Sequence, residues 1–256
     1  MPQPAAVMLG SLAAFTSREL SRLSLAPGAS PGRGLGQVVP AGVRTLEVRW
    51  ILAGELDPAV ADWFARFPAG TESRQDSYLV RPCLPTLGVK VRGGGPLEMK
   101  VYLGSPGILR IPGGVCGRME RWRKWSARPA RPRSGGYYLH GWTAVRKSRR
   151  ITRFAPDSRG ALETGQVLNE GPGCAVELTE IHALCQRWWS LGLEATGPSG
   201  LLRSQLEAAA AHVFAEPLPD GVELGPGNSQ SYARWLARLS GVAGSRGPRE
   251  AGGWIP

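Results

Sequence analysis

The sequence predicts an α+β fold in which a run of antiparallel strands is flanked by helices. Three observations predict it. Polar–apolar alternation recurs in segment after segment. The links between these segments are short and contain Gly, Pro or Asp, and helix-cap signals occur once early in the run and twice after it. With 256 residues, 42% of them apolar and 20% charged, the chain has the material for a sizeable core. Its 35 Gly and 22 Pro cluster in tails and loops, and no internal repeat is evident.

Residues 1–42 are rich in Pro, Gly, Ala and Ser and read as a flexible leader. The first strand is TLEVRWIL (45–52). Asp57 then caps a helix with Pro58 at its first position, running to about Phe67 and presenting Val60, Trp63 and Phe64 on one side. Strand signals follow at SYLV (77–80), LGVKVR (87–92), LEMKVYL (97–103), GRMERWRKW (117–125), TAVRKSRRITRF (143–154), CAVELTEI (174–181) and WWSLGLEA (188–195). Two helices close the folded part. Ser199 is the expected cap of the first, and Asn228 or Ser229 of the second, which stops at Gly241. These bounds give one folded domain over 43–241, with 242–256 as a loose tail.

Residues two apart on a strand share a face. In the first strand Leu46, Val48 and Trp50 share one side, and Thr45, Glu47 and Arg49 the other. Val89 and Val91 oppose Lys90 and Arg92; Leu97, Met99, Val101 and Leu103 oppose Glu98, Lys100 and Tyr102; Trp189, Leu191 and Leu193 oppose Ser190, Gly192 and Glu194. One explanation is a sheet with a core face and a solvated face of mixed charge. The other is a closed barrel turned inside out, its apolar side covered by helices and its charged side lining an interior tunnel. In such a tunnel bases would take phosphate oxygens and carboxylates would hold a divalent ion.

The net charge of +11 points to an anionic partner, whether nucleic acid, acidic membrane or phosphorylated small molecule. Cys83, Cys116, Cys174 and Cys185 form no CxxC pair, so no zinc site is expected and a reducing, cytoplasmic setting is. No apolar run reaches the roughly 18 residues of a membrane span. The glycines of RGGGP (92–96) make a turn between strands and carry no GK[ST], so they are not a phosphate-binding loop, and neither GxSxG nor HExxH occurs. His140, His182 and His212 are isolated. Of the adjacent pair Trp188 and Trp189, only one can face inward, and Trp189 shares the apolar side with Leu191 and Leu193. The basic run 121–134, with Trp122 and Trp125, offers nucleic acid as an alternative partner, against the simpler reading of a solvated loop.

The order of these motifs resembles the CYTH superfamily, the triphosphate tunnel metalloenzymes, across residues 44–240. TLEVR (45–49) resembles the family's opening ExExK, with Glu47 at the second acid, Arg49 at the Lys and Thr45 in place of the first acid. Lys90-Val91-Arg92 resembles the R-x-R pair, Lys100 the next base, Arg118-Met119-Glu120 the R-x-E and Lys147-Ser148-Arg149 the K-x-R. Glu177 and Glu194 stand at the late acids, with Gly192 where a paired acid is expected, and SYARWL (231–236) is similar to the closing helix.

The resemblance implies an antiparallel eight-stranded β-barrel that binds an inorganic or organic triphosphate and hydrolyses it with Mg2+ or Mn2+. It implies Arg49, Lys90, Arg92, Lys100, Arg118, Lys147 and Arg149 as substrate-binding residues. Glu47, Glu98, Glu177 and Glu194 would be metal ligands, with Glu47 and Glu120 as catalytic carboxylates. The departures at Thr45 and Gly192 leave a second expectation beside hydrolysis: a noncatalytic module of the same fold that binds a phosphorylated ligand.

Overall fold

The computed structural model describes residues 42–127, 141–156, 162–166 and 171–244. They form, in chain order, β1 (Val43–Ala53), α1 (Pro58–Ala65), β2 (Gly70–Leu79), β3 (Leu87–Arg92), β4 (Leu97–Arg110), β5 (Cys116–Ala127) and β6 (Trp142–Pro156). After these come β7 (Leu162–Gln166), β8 (Gly173–Ala183), β9 (Gln186–Thr196), α2 (Leu202–Val213) and α3 (Tyr232–Gly244). Neighbours follow the order β2-β3-β4-β5-β1-β9-β8-β6, all antiparallel, and β2 pairs again with β6 from Gly70↔Ile151 to Leu79↔Trp142. That last pairing closes a ring of eight and leaves no open edge in it, while β7 extends one end of β6 outside the ring.

Helices cover the outer face on one side of the ring. Leu46, Val48 and Trp50 of β1, Val176 and Leu178 of β8, and Leu191, Leu193 and Ala195 of β9 share a core with Val60 and Phe64 of α1 and Leu206, Ala209, Ala210 and Val213 of α2. Trp50 is wholly buried there, and its indole N–H donates to the Cys116 carbonyl at 2.9 Å, so its one polar atom is satisfied. Trp189 joins the same core, as its apolar neighbours predict.

Local chemistry sets the ends of the elements, and several differ from expectation. Asp57 does cap α1, accepting from the Ala59 N–H at 2.8 Å, with Pro58 following. Ser199 does not cap α2. The Leu201 N–H donates to the Pro198 carbonyl at 2.9 Å, and this turn moves the helix start past Ser199, leaving Leu201 at the cap position with no side-chain bond. The cap of α3 is Ser231, whose Oγ accepts from the Arg234 N–H at 3.4 Å. Asn228 and Ser229 are engaged elsewhere, with the Glu223 carbonyl and the Arg118 N–H respectively, and α3 continues beyond Gly241 to Gly244.

β2 starts seven residues earlier than SYLV suggests, because ESRQDSY (72–78) is polar on both faces and carries no alternation. β7 was not expected. Arg92–Pro96 is a turn as expected, with Gly93 and Gly94 at φ 51° and 74°, and the β8–β9 hairpin turns on Leu184 and Cys185 at φ 50° and 59°.

One departure from a regular ring shapes the interior. β1 pairs with β5 only from Val43 to Glu47. Beyond Glu47 the segment 228–230 lies against β1 instead: the Ile51 N–H donates to the Asn228 carbonyl and the Gln230 N–H to the Arg49 carbonyl, each at 2.9 Å. This wedge delivers α3 to one end of the barrel, where Trp235 and Leu236 pack with the inward-facing Ile51, Tyr78, Val80, Val145, Ile181 and Ala183. Among the described residues, no helix is long and apolar enough to cross a membrane.

Candidate functional site

Above that apolar plug the same inward faces turn charged. They line a cavity of about 100 Å³ with eight bases, Arg49, Arg74, Lys90, Arg92, Lys100, Lys124, Lys147 and Arg149, and four acids, Glu47, Glu98, Glu177 and Glu194. Period-two geometry explains the gathering. Glu47 and Arg49 are two apart on β1, Lys90 and Arg92 on β3, Glu98 and Lys100 on β4, and Lys147 and Arg149 on β6, so each pair shares one face, and closure points that face inward.

Each lining acid is already neutralised. Glu177 lies between Arg49 at 2.5 Å and Arg149 at 3.0 Å, and Arg149 also pairs with Glu72. Glu98 is held by Lys90 at 3.1 Å and Arg92 at 3.3 Å. The Lys100 ammonium bridges Glu47 at 2.5 Å and Glu194 at 3.4 Å. Beneath them Asp76, fully buried, faces Arg74 at 2.9 Å, Lys90 at 3.4 Å and Lys147 at 3.8 Å. Thr45 donates its hydroxyl to Glu47 at 2.8 Å, fixing that carboxylate by a hydrogen bond.

Proton affinities follow from this packing. Burial alone would raise the Glu177 carboxyl, but Arg49, Arg149 and Lys147 overcome it and hold it well below the usual carboxylate range. Burial and the bases oppose each other likewise at Glu98, where Lys90, Lys124 and Arg92 win and bring it down to about 2. Burial would lower Lys100, yet Glu194 and Glu47 raise it above the ordinary lysine value. Lys147 goes the other way: burial, reinforced by Lys90, pushes it well below 10.5.

The floor of the cavity is aromatic. Tyr78 and Tyr232 stack with centroids 5.8 Å apart. The Lys147 ammonium sits 3.5 Å from the Tyr232 ring centre and donates to the Tyr78 hydroxyl at 2.7 Å, and the Arg49 guanidinium lies 4.9 Å from the same Tyr232 centre.

Ten of the sequence-derived candidates line this cavity: Glu47, Arg49, Lys90, Arg92, Glu98, Lys100, Lys147, Arg149, Glu177 and Glu194. Arg118 and Glu120 do not. Glu120 is the last β5 residue paired to β1, and past it the 228–230 wedge takes the Arg118 N–H on Ser229, leaving the Arg118 side chain exposed. Glu120 is buried beside the wedge, where the Trp122 indole donates to it at 3.2 Å and Arg234 of α3 approaches to 3.8 Å. Burial raises its carboxyl. Sequence reasoning missed Arg74, Asp76, Lys124 and Tyr232 as site residues. The only signal for the first two is their spacing from Tyr78, and for Lys124 its parity with Glu120 and Trp122.

A Mg2+ or Mn2+ ion, which the resemblance implies, asks for several oxygen ligands in near-octahedral array. Glu47 and Glu194 face each other in the β1–β9 register, but Lys100 already joins them, and Glu177 is committed to two guanidinium groups. Among the described residues no three His, Cys, Asp or Glu are grouped to hold a metal. The donor set therefore does not fit a preformed divalent-ion site.

No family model and no curated protein matches the chain. Similar solved structures include a conserved hypothetical protein from Pyrococcus furiosus, 13% identical, covering 72% of this chain and 94% of that one at a TM-score of 0.40. The PH1819 protein of Pyrococcus horikoshii is also 13% identical, with 75% and 99% covered and a TM-score of 0.38. The S. pombe Pct1 RNA triphosphatase, solved in complex with the Spt5 CTD, is 8% identical, with 69% and 80% covered and a TM-score of 0.36. At TM-scores of 0.40 and below, no role passes from any of them to this chain.

Proposed function

We propose that the barrel interior binds the phosphate chain of a triphosphate-bearing small molecule. The observation that carries this is one small cavity lined by eight bases and four acids, the bases still in excess when Glu72 and Asp76, which pair with them from outside the lining, are added. Arg49, Arg92 and Arg149 supply planar forks that suit phosphate oxygens, and Lys90, Lys100, Lys124 and Lys147 supply point charges. The volume of about 100 Å³ is small beside the roughly 300–1,000 Å³ of drug-sized pockets. It suits a compact inorganic chain, or a phosphate tail whose organic part stays at the mouth. Both tyrosine rings of the floor are covered by cations, so they offer no bare face to a nucleobase.

Hydrolysis is the second reading, and one observation favours it. The Glu47 carboxylate shares the cavity with the bases and is fixed by Thr45 and Lys100, a placement from which it could orient an attacking water. Phosphoryl transfer needs mainly positioning and charge neutralisation, and the bases supply both. The sequence resemblance to the CYTH superfamily supports either reading. The four cysteines are unpaired, in keeping with a reducing, cytoplasmic setting. For the alternative nucleic-acid partner, residues 121–127 belong to β5 and 128–134 lie outside the described residues.

Calorimetric titration with tripolyphosphate and with a nucleoside triphosphate, with phosphate release measured on the same samples, tests the proposal. Saturable binding that Arg92→Ala weakens supports it, and phosphate release alongside binding selects the hydrolytic reading. Absence of binding by any phosphate chain overturns both, and oligonucleotide binding of steep salt dependence would then favour the nucleic-acid alternative.

A further inference from the structure

Resting on that reading, we infer that the cavity takes its phosphate chain without a divalent cation, because protein cations stand where an ion would be held between acid and phosphate. Two neighbouring rows across the barrel wall show how. In the first, Gly192 of β9 lies in register with Arg49 of β1 on one side and Glu177 of β8 on the other. The Arg49 guanidinium passes over this glycine to reach Glu177 at 2.5 Å and the Ser190 hydroxyl at 3.3 Å.

The space over Gly192 belongs to that guanidinium. A Cβ built on Gly192 would lie 2.6 Å from the Arg49 Cζ and 2.7 Å from each terminal nitrogen, far inside contact distance. No side chain, acidic or otherwise, can stand at 192 while Arg49 keeps this pose. The missing acid and the bulky base are therefore one coupled feature: the first makes room for the second. A fixed guanidinium, always charged and with donors left over, fills the position.

In the second row, Glu47 and Glu194 face each other in register, and the Lys100 ammonium closes the gap between them. An incoming Mg2+ would have to displace this ammonium and give up most of its own water for two carboxylates that are already neutralised. The phosphate chain, by contrast, finds its counter-charge in place, with Lys124 as a further base that acts on Glu98 and Glu194 only at longer range.

The test is calorimetric titration of tripolyphosphate into the full chain, once in chelator and once with saturating Mg2+ or Mn2+. The expected result is equal or tighter binding in chelator, since free metal would compete with the protein for the ligand. Gly192→Ala, which forces the end of the Arg49 side chain to shift from its place over residue 192, is expected to weaken binding in chelator severalfold. Arg49→Lys, which keeps the charge and loses the fork, is a second variant should the first not fold, and the same direction is expected. Binding that appears only with metal, or that neither variant weakens, overturns the inference and leaves the phosphate-binding reading standing. Absence of binding in both buffers removes that reading itself, and the inference with it.

Discussion

The two halves of the barrel interior are built from the same faces of the same strands. Along β1 the inward residues are Glu47 and Arg49, then Ile51; along β6 they are Arg149 and Lys147, then Val145; along β8 they are Glu177 and Thr179, then Ile181 and Ala183. One half is a charged pocket, partly exposed at Glu72 and Arg92, and the other is an apolar plug filled by Trp235 and Leu236. Alternation thus decides which way a side chain points, and position along the strand decides what it meets there. The plug also serves the pocket: a dry floor keeps water from beneath the ion pairs and lengthens the reach of their charges.

Removing the plug should have the largest effect. Trp235→Ala empties a fully buried site and is expected to cost about 3–5 kcal/mol, read as a lower urea midpoint. A loss under about 1 kcal/mol would mean that α3 does not hold the closed end.

The charged half should respond to acid where the plug does not. Glu98, with its carboxyl near 2 against an ordinary 4.5, contributes stability that is complete above the unfolded value and is lost as pH falls toward 2. That contribution is on the order of 3 kcal/mol, and Glu177 adds to it in the same direction. Urea midpoints should stay level from neutral pH to about 5 and then fall as the pH is lowered to about 3, and Trp235→Ala should show the same profile from a lower start. A flat profile would contradict the ion-pair network.

Lys147 stands on the border between the halves, and its lowered proton affinity makes a finer test. An anion favours the charged ammonium, so affinity for tripolyphosphate should drop as pH rises through the depressed lysine value, by up to about tenfold per pH unit above it. Lys147→Met should remove this dependence, and its persistence would place the titrating group elsewhere. The smallest effect is expected at Arg118→Ala, outside both halves. Its binding and stability should stay within about 0.5 kcal/mol of the parent, and a larger loss of affinity would return Arg118 to the site.

Most of this interior was legible because the strands announce both faces at once. β1, β3, β4 and β9 carry apolar residues at one parity, so the charges at the other parity could be assigned together, and closure made them a single lining. β2 gave no such rhythm. Arg74 and Asp76 were missed because Thr71, Ser73, Gln75 and Ser77 on the opposite face are polar as well. Arg118 and Glu120 were placed in the site by their resemblance to an R-x-E motif, but a local motif cannot show where two strands part. That is decided by residues 228–230, more than a hundred positions away. The closing of one end by α3 was hidden for the same reason, since SYARWL reads as an amphipathic helix whatever it packs against.

The wedge at 228–230 has a consequence for the order in which the molecule is assembled. β1 borders β9 on one edge, and on the other it borders β5 as far as Glu47 and Asn228–Gln230 beyond it, so one edge of a single strand is completed by a segment far along the chain. The barrel wall beside β1 is therefore incomplete until that distant segment docks, and long-range pairing of this kind folds slowly. The helix α3, carried by that segment, is thus the latch of the barrel, and a molecule in which it has not docked holds every base and acid of the cavity over an open floor.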